Sequence, residues 1–217
     1  MELKGKKINF LGDSITHAGN LGDDTKRFTY LIEQECDAIV RNYGVGGTCI
    51  AKSLKPSEVA EWDQDFISRV DGMDSDADIV VVFGGTNDYG HGTVPIGTMD
   101  DRTDDTFYGA LHTLYTMLLN KYPYAQLVVM TPLHRFNENK SQKSWKGEGG
   151  EHLLTFVNII REVAEYYAIP VLDTYATSGI QPSVPIIRDL YTVDGLHPNA
   201  LGHRVLANKI IAFLKTL

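Results

Sequence analysis

Short apolar runs alternate along the chain with longer stretches of helical periodicity, and the runs end in small or polar residues. Five runs are strand candidates: Lys7–Gly12, Ala38–Gly44, Asp78–Gly84, Gln126–Thr131 and Ile169–Asp173. The third and fourth are continuously apolar, as expected for strands that are buried on both faces of a sheet. The pattern therefore predicts five parallel strands.

The stretches between these runs predict helices, and two of them are clear. One carries apolar residues at three- and four-residue intervals, which form a single stripe: Leu153, Phe156, Ile159, Ile160, Val163, Ala164 and Tyr167. The last helix is predicted to start at Pro198, because a missing N–H costs nothing in the first turn. Its predicted inward positions are Leu201, Val205, Leu206, Ile210, Phe213 and Leu214.

Alternating strands and helices favour right-handed crossovers and a parallel sheet with both faces covered. We therefore expect a three-layer α/β/α fold with a central five-stranded parallel sheet and flavodoxin-like strand order. A length of 217 residues with 43% hydrophobic composition fits a single domain, residues 1–217.

Charge and hydropathy exclude several classes of function. The net charge is −8 and the basic residues are scattered, which argues against a nucleic-acid partner or an anionic membrane surface. No run approaches the roughly 18 apolar residues of a membrane span, and no signal-peptide core follows Met1, so we expect a cytoplasmic protein. Cys36 and Cys49 match neither a CxxC motif nor a disulfide framework and are interpreted as structural thiols.

Four segments fall where the carboxyl ends of strands should meet: Gly12–Ile15, Gly44–Thr48, Gly84–Asp88 and Asp194–Pro198. Ligands of doubly wound sheets bind at this edge, so we expect folding to bring the four segments together.

Each segment alone also has a purely structural interpretation. Ser14 could be a helix N-cap, and Asn87 and the glycines could only permit tight turns. Asp194 and His197 could be a capping residue and an ordinary loop histidine. The combination favours chemistry, because a serine hydroxyl needs a base whose orientation a third group fixes. Histidine suits the role of base because its unperturbed pKa lies near neutrality.

Three segments resemble the sequence blocks of the SGNH (GDSL-like) hydrolase family, in their usual order: Leu11–Ile15 (LGDSI), Gly84–Asp88 (GGTND) and Asp194–Pro198 (DGLHP). Gly44–Gly47 resembles the family's glycine block, and the resemblance reaches from residue 8 to about residue 206. It implies the SGNH hydrolase fold and a carboxylic ester hydrolase that needs no cofactor.

Carried over residue by residue, the resemblance makes Ser14 the nucleophile, His197 the base and Asp194 its partner. The backbone N–H of Ser14, a glycine at 46 or 47 and the amide of Asn87 become the oxyanion-hole donors. We favour Gly47, which takes the glycine position when the block is placed in register.

Other residues near these segments have simpler interpretations. The run Gly12–Thr16 lacks the second glycine of G-x-S-x-G, which disfavours the larger α/β-hydrolase fold. Asp13 and Asp88 are expected to be buried hydrogen-bonding or turn residues.

Two long polar stretches, Gly90–Asp105 and His134–Gly149, are predicted loops, and loops of this length are usually functional or mobile. His134 and Arg135 follow the fourth strand and could contact substrate, with a solvated loop pair as the alternative. His91 in the other loop has the same two interpretations. No histidine has metal-ligand spacing, so no metal site is expected.

The leading hypothesis is a serine esterase that works through an acyl-enzyme on a small-molecule ester. The resemblance implies acetylated carbohydrates, lysophospholipids, acyl thioesters or simple esters as substrates, and the polar loops favour short acyl groups on a polar alcohol such as a sugar. Alternatives are a lysophospholipase or thioesterase on longer chains, acyl transfer to an alcohol, and a non-catalytic flavodoxin-like binding module. The sequence contains neither G-x-G-x-x-G nor a P-loop, which argues against the binding module.

Overall fold

The computed structural model describes residues 1–139 and 151–217. Its sheet has five parallel strands: β1 (Lys7–Gly12), β2 (Ile39–Gly44), β3 (Ile79–Phe83), β4 (Gln126–Met130) and β5 (Val171–Leu172). The spatial order is β2-β1-β3-β4-β5, which confirms the flavodoxin-like prediction. Only β5 is markedly shorter than its predicted run.

Nine α-helices lie in the described residues: α1 (Ser14–His17), α2 (Phe28–Cys36), α3 (Phe66–Arg69), α4 (Thr86–His91), α5 (Phe107–Lys121), α6 (Leu153–Tyr166), α7 (Thr174–Thr177), α8 (Pro185–Tyr191) and α9 (Ala200–Thr216). Short 3₁₀ turns connect them at Gly19–Leu21, Asp24–Lys26, Ala60–Asp63 and Val70–Gly72.

Alternate side chains of the strands enter two separate cores, one on each face of the sheet. Leu11, Val80 and Val82 join the core that α5 and α6 cover. Phe10 and Val81 join the core on the other face, which contains residues of α2 and α9. The three-layer arrangement is therefore confirmed, and it directs the carboxyl ends of all five strands to one edge.

The helix predictions hold in α6 and need one correction in α9. The α6 stripe is buried, although Tyr167 lies just beyond the helix. Helix α9 begins at Ala200 and not at Pro198, because Asn199 caps it by accepting hydrogen bonds from two backbone N–H groups at 3.0 and 3.1 Å. Leu201 was predicted to face inward, but it lies in the first turn at the surface and is 52% exposed.

The two long predicted loops differ in outcome. Helix α4 extends through His91, and the segment 92–106 that follows has no helix or strand. The other predicted loop, His134–Gly149, lies partly outside the described residues. Among the helices that are described, none has both the length and the apolar character needed to cross a membrane.

Candidate active site

Ser14 is the first residue of α1, directly after β1. The capping position belongs to Asp13, whose Oδ1 accepts a hydrogen bond from the backbone N–H of Ile15 at 2.9 Å. The N-cap interpretation of Ser14 is therefore wrong. Its Oγ lies 3.0 Å from His197 Nε2, which is within reach for proton transfer.

His197 and Asp194 belong to one turn that leads into α9. His197 Nδ1 lies 2.7 Å from Asp194 Oδ2, while Asp194 Oδ1 accepts hydrogen bonds from the backbone N–H groups of Leu196 and His197 at 2.9 and 2.7 Å. Burial raises the pKa of the Asp194 carboxyl, but the hydrogen bonds from His197 and Leu196 outweigh this and hold the pKa below its usual range. The carboxylate is therefore ionised at neutral pH, beside the imidazole.

Asn87, in the first turn of α4, faces the loop that follows β2. It is 7% exposed, and its Nδ2 donates to the backbone carbonyl of Thr48 at 3.0 Å. A primary amide has two N–H donors, so one remains after this bond. The next residue, Asp88, accepts hydrogen bonds from Ile50 and Ala51 at 2.9 and 3.0 Å, which agrees with its predicted hydrogen-bonding role.

Gly46 and Gly47 lie in the turn between β2 and Thr48, whose carbonyl accepts from Asn87. The N–H of Val45 donates to the carbonyl of Gly12 at 3.1 Å, which ties the turn to the residue two before Ser14. Gly47 has a φ of +75° and no room for a Cβ, because the indole of Trp62 occupies that space. A Cβ on Gly46 would lie 3.9 Å from Ser14 Cβ. Which of the two donates to an oxyanion stays a prediction.

Arg69, which the sequence analysis did not single out, braces the same turn from α3. Its guanidinium donates to the Gly12 carbonyl and to Thr48 Oγ1, both at 3.1 Å, and to the Tyr43 carbonyl at 2.5 Å. Burial lowers its pKa to about 10. The residue has no local sequence signal, because its partners lie on β1, on β2 and in the following loop.

Asp13 places a second carboxyl directly beside the nucleophile. Its side chain is 2% exposed, and burial raises its pKa to about 6 against the opposing effects of its hydrogen bond to Ile15 and the charges of His197 and Arg69. Asp13 is therefore a buried hydrogen-bonding residue, as predicted, and the structure adds that it caps α1.

Trp62 and His91 form an aromatic pair beside the Gly47 turn. Their rings stack with centroids 4.6 Å apart and planes at 25°. His91 is the last residue of α4, one helical turn after Asn87, and burial lowers its pKa. His91 was a candidate from the sequence, whereas Trp62 was not, because its position depends on the path of the loop from β2 to α3.

His134 lies in the loop after β4, held by its own neighbours. Its Nδ1 lies 2.8 Å from the buried Glu138 carboxylate, and its ring centroid is 3.8 Å from that of Tyr175. The next residue, Arg135, donates to the carbonyl and hydroxyl oxygens of Thr86 at 3.1 and 3.2 Å. A substrate contact for His134 stays a prediction. In residues 1–139 and 151–217, no three His, Cys, Asp or Glu side chains are grouped as metal ligands would be.

Comparisons with known proteins agree with this architecture. A model of the GDSL-like lipase/acylhydrolase family matches residues 10–205. A protein from Lactobacillus plantarum is 31% identical, with 98% of each chain covered and a TM-score of 0.83. A lipase/acylhydrolase from Enterococcus faecalis is 21% identical, with 97% of this chain and 96% of that chain covered and a TM-score of 0.66.

An acetyl xylan esterase shares the fold at 21% identity, with 95% of this chain and 98% of that chain covered and a TM-score of 0.64. No curated protein matches the chain. The family match spans most of the chain and includes the segments that carry Ser14, Asn87, Asp194 and His197. The chain therefore belongs to the GDSL-like lipase/acylhydrolase family and is a carboxylic ester hydrolase.

Proposed function

We propose that the protein hydrolyses short-acyl esters, chiefly acetyl esters, of a carbohydrate or another polar alcohol. Ser14 is the nucleophile, His197 the general base and acid, and Asp194 the residue that orients and stabilises the imidazole. No cofactor takes part in the proposed reaction.

The observation that carries this proposal is the continuous contact from Ser14 Oγ to His197 Nε2 at 3.0 Å and from His197 Nδ1 to Asp194 Oδ2 at 2.7 Å. The ionised Asp194 accepts a hydrogen bond from His197 Nδ1–H, so Nε2 carries a lone pair that faces the hydroxyl. This tautomer is the one that can remove a proton from serine.

In the acylation step, Ser14 Oγ attacks the acyl carbon while His197 Nε2 takes the hydroxyl proton. The tetrahedral intermediate then collapses, the carbon–oxygen bond to the alcohol breaks, and His197 returns its proton to the leaving oxygen. In deacylation, His197 Nε2 takes a proton from water while the water oxygen attacks the acyl carbon. The bond from this carbon to Ser14 Oγ then breaks, His197 returns its proton to Oγ, and the acid is released.

Negative charge develops on the carbonyl oxygen during both steps. The proposed donors to it are the N–H of Ser14, the N–H of Gly47 and the remaining amide N–H of Asn87. Asn87 is preorganised by its bond to Thr48 at 3.0 Å, and the turn is held by Arg69, so little reorganisation is needed as charge forms.

Two observations support the short-acyl, polar-alcohol preference. The segments Gly90–Asp105 and His134–Gly149 are polar in sequence, and an acetyl xylan esterase shares the fold. A sugar would bind such loops through hydrogen bonds from its hydroxyl groups.

A second candidate is hydrolysis of longer acyl chains, as in lysophospholipases or thioesterases. One observation favours it: three apolar side chains of the loop that follows β2 are exposed, Leu54, Val59 and Trp62, at 60%, 38% and 38%. They offer apolar surface to a longer acyl chain.

A series of p-nitrophenyl esters from acetate to octanoate, followed by acetylated sugars, tests the proposal. Ser14→Ala should lose several orders of magnitude in kcat/KM. Ser75→Ala is the matched control, since Ser75 is exposed in the turn before β3, at the opposite edge of the sheet. A wild type that is most active on acetate supports the proposal, and a preference for octanoate supports the second candidate. Activity that survives Ser14→Ala contradicts both.

A further inference from the structure

Trp62 packs against Gly47, in the turn after β2. Three atoms of its indole, including Nε1, occupy the space next to the Gly47 Cα, on the residue proposed as an oxyanion donor. The side chain is nevertheless 38% exposed, so part of the ring faces solvent beside the site. An aromatic surface at this place borders whatever lies next to the carbonyl group.

The stereochemistry of the reaction decides whether the acyl group or the alcohol of the ester lies beside Trp62. His197 must protonate the leaving oxygen, so the alcohol leaves on the side of the Asp194–His197 turn. The carbonyl oxygen points into the donors, and the acyl substituent takes the remaining direction, away from His197. Trp62 packs on the Gly47 turn, and this contact assigns it to the acyl side.

The indole is also held in place. One face of the indole stacks on the His91 ring, with ring centroids 4.6 Å apart, and His91 lies on the same helix as Asn87. The 3₁₀ turn that carries Trp62 is fixed by Asp63, whose two carboxylate oxygens accept a hydrogen bond from the N–H of Ser57 at 3.1 Å. A supported ring acts as a wall, because displacing it would cost its stacking contact.

We propose that Trp62, supported by His91, is the end wall of the acyl subsite and restricts the enzyme to short acyl groups. This inference rests on the proposed function and deepens it, since it assigns acyl-length selection to one pair of side chains. Removing the indole should open space that a longer chain can fill, and each buried methylene then contributes to transition-state binding.

The test is the ratio of kcat/KM for p-nitrophenyl octanoate to that for acetate, in wild type, Trp62→Ala and Trp62→Phe. We expect the ratio to rise by about tenfold or more in Trp62→Ala and much less in Trp62→Phe, which keeps an aromatic ring. His91→Ala removes the support and should raise the ratio by a smaller factor. Trp62→Leu replaces Trp62→Ala if the latter does not fold, as judged by circular dichroism.

Phe136→Ala is the matched control, because Phe136 is a similarly exposed aromatic residue on the opposite flank, where its backbone N–H donates to Gly195 at 2.7 Å. Its acyl-length ratio should stay at the wild-type value. An unchanged ratio in active Trp62→Ala protein overturns the wall while leaving the esterase intact. Absence of Ser14-dependent ester hydrolysis in wild type would instead refute the proposed function, and the inference with it.

Discussion

Asp194→Asn perturbs the proposed catalytic machinery at a point where the structure dictates the outcome. Asp194 Oδ1 accepts two backbone N–H bonds, from Leu196 and His197, at 2.9 and 2.7 Å. An asparagine keeps those bonds only if its Oδ1 takes the same place, which turns its Nδ2 towards His197 Nδ1. The imidazole must then accept at Nδ1 and carry its proton on Nε2, where it can no longer take one from Ser14.

The expected loss follows from this reversal and from solvent exposure. A buried triad aspartate changed to asparagine costs about 10⁴ in kcat. Here the side chains of Asp194 and His197 are 50% and 25% exposed, so water screens the pair and allows the ring to find other partners. We therefore expect a loss of about 10²–10³ in kcat, or about 2.7–4 kcal/mol, with KM within a few-fold of wild type.

Asp194→Ala gives the contrast that isolates the tautomer. Alanine removes the orientation but imposes no wrong proton position, so it should retain more activity than asparagine. Steady-state kinetics on p-nitrophenyl acetate measure both variants, with circular dichroism to confirm folding. An asparagine variant within tenfold of wild type, or one more active than the alanine variant, refutes the reasoning.

Three further predictions follow from the site. Asn87→Ala should lower kcat on p-nitrophenyl acetate by about 10²–10³ with little change in KM, because it removes a proposed oxyanion donor. Arg69→Met removes the donor to Thr48 Oγ1 and to the Tyr43 carbonyl, and one of the two donors to the Gly12 carbonyl. It should lower the free energy of unfolding in urea by about 2–4 kcal/mol, whereas an unchanged midpoint contradicts its bracing role. The pKa of Asp13 rises on folding from its ordinary 3.8 to about 6, so the wild type loses stability as pH rises through that interval. Asp13→Asn removes the loss, and its stability relative to wild type should rise by about 2 kcal/mol between pH 4 and pH 7 in urea titrations; a constant difference contradicts the assignment.

The sheet was predictable because its central strands, β1, β3 and β4, are buried on both faces. The runs at β3 and β4 are apolar almost without interruption, and the bounds of all three strands agree with the structure to within a residue. The predicted strand Ile169–Asp173 was too long, because only Val171 and Leu172 pair with β4. Composition does not specify how far an edge strand stays in register with its neighbour.

The contact between His197 and Asp194 was predictable, because the two residues lie three apart in one turn. Their catalytic roles stay a prediction. The helix start at α9 was misplaced because proline and asparagine both favour helix N-termini, and the cap of Asn199 determined the start.

Long-range contacts account for what the sequence did not predict. Arg69 reaches partners on two strands, and Trp62 packs on Gly47 from a separate loop. Neither residue belongs to a motif, and their positions depend on the complete fold. A single sequence therefore points to the reacting groups more readily than to the residues that support them.

Covalent labelling of Ser14 tests the central claim most directly. A fluorophosphonate should form a bond from phosphorus to Ser14 Oγ with loss of fluoride, giving one adduct per chain by intact mass and placing it on the peptide that contains Ser14. Labelling should be abolished in Ser14→Ala, strongly slowed in His197→Ala and unaffected in the Ser75→Ala control. An adduct on another residue, or equal labelling of wild type and Ser14→Ala, would contradict the account.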